Sequence, residues 1–293
     1  MKILIHYRHF PVAMGRFFHW AFQDLGHEVY SVGPYSHGTI PWGDYSFPEH
    51  AFPPDANTQE GNVPLQHVLD NIPFKPDMVF QAGDVTYLTG KVKGVINATL
   101  ATDPHAVNYT MRRLYSDIFF NMQKFYSEKN DVWIPYAYYP GIHRNLGKKE
   151  MKYDVVFCGL QYEHRREALS KMEEKGLRVF NALGVIYEKY VDVYNEGKIA
   201  FNWSSKQDLP ARFWEGLAMG RLVLTSRVPD LKEIDMEEDV DYVAFSSVEE
   251  AVEKAVYYAN HEDERIKIAL SGQRKVNEPH TYLKRAVKII KHL

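Results

Sequence analysis

Residues 208–226 read DLPARFWEGLAMGRLVLTS. The order implies a loop, a short helix and then a buried strand. Pro210 suits a first helical turn, where a missing N–H costs nothing because that N–H has no helical partner. Phe213, Trp214, Leu217 and Ala218 form an apolar stripe at helical spacing. Gly220 ends the helix, since glycine adopts the left-handed cap conformation cheaply. Leu222, Val223 and Leu224 follow as the continuous apolar run of a strand buried on both faces. Such strand–helix units alternate along the whole chain and define a parallel α/β architecture.

One carboxylate, Glu215, lies on this helix among bulky apolar neighbours. An unpaired buried charge is expensive, so Glu215 needs a partner. Two roles are open to it. It is satisfied internally, by a backbone amide or by Arg212, or it accepts two O–H bonds from adjacent sugar hydroxyls. The segment E-G-L-A-M-G, residues 215–220, followed by an apolar strand, resembles the E-A-L-A-x-G segment of glycosyltransferases with the two-domain GT-B fold. The order N-W-S-S-K-x-D-x-x-x-R-x-x-E over residues 202–215 is similar to the CgeB/YkvP-like group, related to family 4 glycosyltransferases. The tail P-H-T-Y at 279–282, with Arg285, fits the same group.

That resemblance, spread over about residues 100–293, implies two Rossmann-like parallel-sheet domains facing an interdomain cleft. The expected division is an acceptor-side domain over 1–145, a nucleotide-sugar domain over 146–280 and a final helix over 281–293 packing back on the first domain. The polar, glycine-containing stretch 140–151 is the best boundary the sequence offers. The resemblance further implies a hexosyltransferase of the retaining kind, using a UDP-sugar such as UDP-glucose and no metal. No cofactor beyond that co-substrate is expected.

The donor residues implied by the family pattern are Gly15, Gly159, Arg165, Lys206, Asp208, Arg212 and Glu215, with Glu215 on the ribose hydroxyls. Gly15 opens the first helix, whose free N–H groups suit an anion, although a plain turn explains it equally. Arg165 and Arg166 stand at a helix start, where the dipole prefers acids. That placement points to an anionic partner, such as a diphosphate, or to a solvated pair beside Glu163 and Glu167. Lys206 and Arg212 offer fixed positive charge for a departing diphosphate. Family 4 enzymes often carry a glutamate eight positions before Glu215. This chain has Gln207 there, and Asp208 is the candidate to share its role.

Catalytic candidates are His105 and Asp103 in D-P-H-A-V-N-Y, together with Lys206. Asp103-Pro104 alone reads as a turn. At a strand's carboxyl end, His105 is also placed to bond a sugar hydroxyl or move a proton near neutral pH. Asp239-Val240-Asp241 formally matches the D-x-D of metal-dependent transferases, but it sits in an acidic stretch and reads as a solvated loop.

Several classes are disfavoured. The 13 histidines and single cysteine, Cys158, show no zinc spacing. No phosphate-loop, dinucleotide or G-x-S-x-G motif occurs. Residues 1–145 hold 11 basic and 13 acidic residues of 35 and 38, so neither half is a general polyanion surface. One cysteine allows no intrachain disulfide, the N-terminus starts directly with a strand and no stretch reaches membrane-spanning length. A soluble, cytoplasmic protein is the expectation.

The acceptor is open among protein, glycan, small molecule and modified DNA. Alternatives to a general transferase are a DNA-modifying glucosyltransferase acting on a hydroxymethylated base and a non-catalytic nucleotide-sugar-binding or spore-surface protein. Residues 33–62, rich in Pro, Gly, Tyr and His, read as a long surface excursion.

Overall fold

The computed structural model describes residues 1–83 and 86–293. The chain divides into two compact units, one of residues 1–135 with 282–293, the other of residues 136–281. Both are parallel sheets layered with helices.

In the first unit β1 (Lys2–His6) leads into α1 (Met14–Asp24) and β2 (Glu28–Gly33). Then follow β3 (Ala56–Asn57), β4 (Asn62–Pro64), α2 (Leu65–Asp70), β5 (Met78–Ala82) and β6 (Tyr87–Thr89). β7 (Ile96–Ala101), α3 (Thr110–Tyr115), β8 (Ile118–Asn121) and β9 (Val132–Trp133) complete the series. The main sheet runs β3-β2-β1-β5-β7-β8-β9, with β4 and β6 forming a separate parallel pair. Setting β4 and β6 aside, this is the order of dinucleotide-binding sheets, in which the direction of winding reverses beside β1. Ile3, Leu4 and Ile5 of β1 and Met78, Val79 and Phe80 of β5 are buried apolar runs, as strands covered on both faces require.

The second unit opens with β10 (Tyr153–Cys158), α4 (Glu163–Glu174), β11 (Val179–Ala182), α5 (Tyr187–Asn195) and β12 (Gly197–Asn202). It continues through α6 (Ala211–Ala218), β13 (Leu222–Ser226), β14 (Val243–Phe245), α7 (Val248–Asn260) and α8 (Glu262–Val276). The sheet order is β11-β10-β12-β13-β14, so winding reverses between β10 and β12. Its core joins Val155, Phe157, Ile199, Phe201, Leu222 and Leu224 from the strands to Leu169, Met172, Ala251 and Ala255 from α4 and α7.

The final helix, α9 (Tyr282–Ile290), belongs to the first unit. Tyr282 stacks on Phe17 at 5.1 Å and meets Phe18 edge-on at 5.4 Å. Buried Arg285 donates to the Pro135 carbonyl at 2.8 Å.

Several local expectations are corrected. Pro210 is the residue before α6 rather than inside its first turn, and Gly220 closes the helix with φ 71°. The strand expected at 92–97 starts at Ile96, because Gly94, with φ 83°, turns the chain just before it. The 140–151 stretch lies inside the second unit, whose limit is at residue 136. Tyr136, Ala137 and Tyr138 are buried, and the Asn195 side-chain amide accepts from the Leu146 N–H and donates to the Arg144 carbonyl. Residues 33–62 are not a bare excursion. Ala56 and Asn57 extend the sheet, and Asp55 accepts from the Ser31 amide and hydroxyl at 2.7 and 2.8 Å.

Candidate functional site

In an open parallel sheet, ligands bind beyond the strands' carboxyl ends where the winding reverses. In the second unit that position lies between the loop after β10 and the loop after β12. Gly159, Arg165, Arg212 and Glu215 all belong to it.

Gly159 follows β10 directly. Its φ is 158°, and a Cβ there would stand 3.0 Å from Arg212 Nη1 and 3.1 Å from Nη2. Glycine is therefore required by both backbone and neighbour. The Arg212 guanidinium lies 4.8 Å from the Phe157 ring centre, and Nη1 donates to the Cys158 carbonyl at 3.2 Å. Its Nε is buried without a hydrogen-bond partner.

Arg165 is only 4% exposed, which departs from the fork open to ligand that the sequence implies. Nε donates to the Trp203 carbonyl at 2.9 Å, Nη1 to the Leu160 carbonyl at 2.9 Å, and Nη2 also to Trp203. Arg165 thus ties the loop after β10 to the loop after β12. Burial, reinforced by the charge of Arg212, lowers its pKa to about 10. Neither arginine has an ion-pair partner among the described residues. Two guanidiniums near one another without a bonded carboxylate make a positive pole at the sheet's end. Arg166 is exposed and donates to the Gln161 carbonyl at 2.8 Å.

Asp208 is 6% exposed and organises the loop after β12. Oδ1 accepts from the Ser204 hydroxyl at 2.6 Å, the Ser205 amide at 2.9 Å, and the Ser205 hydroxyl and Lys206 amide at 3.0 Å. Gln207, with φ 62°, is held in the left-handed region that few non-glycine residues occupy. A second such residue, Tyr187 with φ 48°, starts α5 at the same end of the sheet. Strain of this kind persists only where surrounding structure enforces it, and it concentrates at functional sites. The Lys206 side chain is exposed.

Glu215 finds partners other than those expected. Its side chain is 12% exposed. Tyr190 on α5 donates its hydroxyl to Oε2 at 2.7 Å. His143 Nε2 lies 3.4 Å from Oε1. The Tyr139 amide donates to His143 Nδ1 at 3.1 Å, which assigns the neutral ring's proton to Nε2. Burial lowers the His143 pKa against the pull of Glu215, so the ring stays neutral beside the carboxylate. Burial, and then the Glu215 charge, raises the Tyr190 pKa well above its ordinary value, keeping that hydroxyl a donor too. The sequence reading missed both residues. Tyr187, Tyr190, Val191 and Tyr194 carry the helical spacing that marks α5, but nothing local ties either residue to Glu215.

The candidates of the first unit are elsewhere in the chain's architecture. Gly15 lies inside α1, where a Cβ would overlap the Tyr7 ring at 2.2 Å, so close packing of helix on strand accounts for it. The Asp103 carbonyl accepts from the Ala106 and Val107 amides at 2.9 Å, a turn after β7. His105 Nδ1 sits 3.1 Å from Gln123 Oε1. Gly15, Asp103 and His105 belong to a different unit from Gly159, Arg165, Lys206, Asp208, Arg212 and Glu215.

Asp241 is not solvated as expected. It is 1% exposed, accepts from the Ser271 hydroxyl at 2.7 Å and the Glu237 amide at 2.9 Å, and so holds its loop. Among the described residues no group of three or more His, Cys, Asp or Glu is arranged to hold a metal ion, and no helix is long and apolar enough to cross a membrane.

A reversed-winding parallel sheet with a positive pole and a carboxylate at its carboxyl end defines a class of Rossmann-like ligand-binding units. The chain belongs to the glycosyl transferase-like family, whose model matches residues 143–291, just over half of it. The fold is GT-B, with two Rossmann-like units. HepE of Anabaena, solved with UDP-glucose, is similar with a TM-score of 0.69 at 9% identity, over 100% of each chain. Sucrose-phosphate synthase of Thermosynechococcus elongatus gives 0.62 at 10% identity, over 99% of this chain and 98% of that one. An alpha-glucosyltransferase solved with UDP-glucose and DNA containing an abasic site gives 0.60 at 9% identity, over 99% of each. A sequence search of curated proteins finds no match.

Proposed function

We propose that the chain transfers a hexose from a UDP-sugar to an acceptor hydroxyl, with retention and without a metal ion, as a member of the CgeB/YkvP-like group. The second unit binds the donor. The observation that carries this reading is the presence of Arg165, Arg212 and Glu215 together at the reversal of the second sheet, inside the family-matched segment. Glu215 takes the ribose hydroxyls. Arg212 meets the diphosphate, with Lys206 reaching it from the exposed loop. Arg165 contributes through its charge and by joining the two loops, because its nitrogens are engaged with carbonyls. Gly159 lets the backbone come close to the phosphates, and Asp208 holds the loop that presents Lys206.

In the reaction the bond from the anomeric carbon to the diphosphate oxygen breaks, and a bond to the acceptor oxygen forms. UDP leaves with the electron pair, and the hydroxyl proton is released. Fixed positive charge at the diphosphate stabilises that departure more in the transition state than in the ground state. The first unit supplies the acceptor side, with His105 orienting a hydroxyl and Asp103 shaping its turn.

Thermal denaturation with a panel of nucleotides and nucleotide sugars tests the reading. UDP and a UDP-sugar raise the melting temperature in EDTA, because binding to the folded state alone stabilises it. A rise that needs manganese removes the metal-free part. A rise with no uridine nucleotide but with another nucleotide removes the UDP assignment.

A further inference from the structure

The hydrogen bonds around Glu215 leave a defined remainder. A carboxylate has about four acceptor positions, two on each oxygen. Tyr190 takes one on Oε2 at 2.7 Å and His143 faces Oε1 at 3.4 Å. Each oxygen therefore keeps one position, and the two partners are themselves anchored. Tyr190 packs its ring on Tyr194 at 4.5 Å, and His143 is pinned by the Tyr139 amide. A carboxylate held in this way keeps one acceptor position per oxygen, the number a vicinal diol requires.

We infer that Tyr190 and His143 are positioning residues that set the donor specificity of this site, by orienting Glu215 to demand both hydroxyls of a ribose. The inference deepens the donor reading above and rests on it. Neither residue touches the donor. They act by removing the alternative rotamers and lone pairs through which Glu215 would accept a single hydroxyl equally well. Burial keeps both donors protonated and His143 uncharged, so the arrangement holds through the neutral range.

The test compares UDP with 2′-deoxy-UDP by calorimetric titration. The wild-type chain favours UDP by about tenfold or more, the scale of one charge-assisted hydrogen bond left unmade. Tyr190→Phe keeps the packed ring and removes one O–H. It weakens UDP binding and brings the preference down to about threefold or less. His143→Gln, whose amide nitrogen falls near the position of Nε2, keeps the preference. His143→Asn, which reaches only the Nδ1 position, loses it. A residue needed merely for folding would not separate these two variants, nor couple to a donor hydroxyl.

If Glu215→Ala abolishes the preference while Tyr190→Phe and His143→Asn retain it, the inference fails and the donor reading stands. If Glu215→Ala leaves UDP affinity and the preference unchanged, the assignment of Glu215 to the ribose fails, and the inference with it. A wild-type chain that does not bind UDP overturns both.

Discussion

Gly159→Ala probes the contact on which the positive pole is built. The added Cβ meets Arg212 Nη1 at 3.0 Å, Nη2 at 3.1 Å and Cζ at 3.3 Å. The guanidinium must retreat by a few tenths of an ångström, which strains its bond to the Cys158 carbonyl and its seat on Phe157. Holding an L-residue at a φ of 158° adds a backbone cost on the order of 1–3 kcal/mol. With about 1 kcal/mol for the displaced arginine, the expected loss is roughly 2–4 kcal/mol. That corresponds to a fall of roughly 5–12 °C in the melting of the second unit. The two contributions separate in a double-mutant cycle. In an Arg212→Ala background only the backbone part remains, so the penalty of Gly159→Ala shrinks by about 1 kcal/mol. Differential scanning calorimetry of the four proteins measures both. Equal penalties in the two backgrounds would show that Arg212 does not rest against Gly159, and the pole as described would be wrong.

Two further outcomes are expected. Asp208→Ala removes an acceptor of four hydrogen bonds in a buried loop and destabilises by roughly 2–4 kcal/mol, whereas Asp208→Asn, which keeps one acceptor oxygen, costs less; urea titration ranks the two, and equal stability of wild type and Asp208→Ala refutes the structural role. His6, His9 and His19 in the first unit are held neutral by burial, with pKa lowered from 6.5 to about 3, 4 and 4. The unfolded chain therefore binds more protons than the folded one below pH 6.5, so stability is full above that value and falls as the pH drops toward 4. Melting measured from pH 8 to 4 shows the decline, and a flat profile contradicts it.

The sequence is most legible where one periodicity runs uninterrupted. Strand β10 was readable to the residue from its apolar run, and α6 from Phe213, Trp214, Leu217 and Ala218, because burial on both faces or on one stripe leaves a direct imprint. The reversal between β10 and β12 was implied only through the resemblance, since strand order is tertiary. Glu215 was singled out by its lone charge, yet its partners were not. Tyr190 is 25 residues away in sequence on a helix the reading passed over, and His143 sits in a polar stretch that looks like a linker. Arg165 was legible as a charge in the right loop. Its burial against the Trp203 and Leu160 carbonyls was not, because backbone acceptors leave no mark in sequence. Asp241 misled for the converse reason. An acidic run reads as solvated, and only the fold brings Ser271 to it.

The central claim is that Glu215 and the arginine pole of the second unit bind the nucleotide of a UDP-sugar without metal. Titration calorimetry of UDP against wild type and Glu215→Ala, both in EDTA, tests it most directly. UDP binds the wild type saturably and one to one, and Glu215→Ala binds it about 10–100-fold more weakly with its melting transition retained. Equal affinities in two folded proteins, or binding that appears only when a divalent metal is restored, would contradict it.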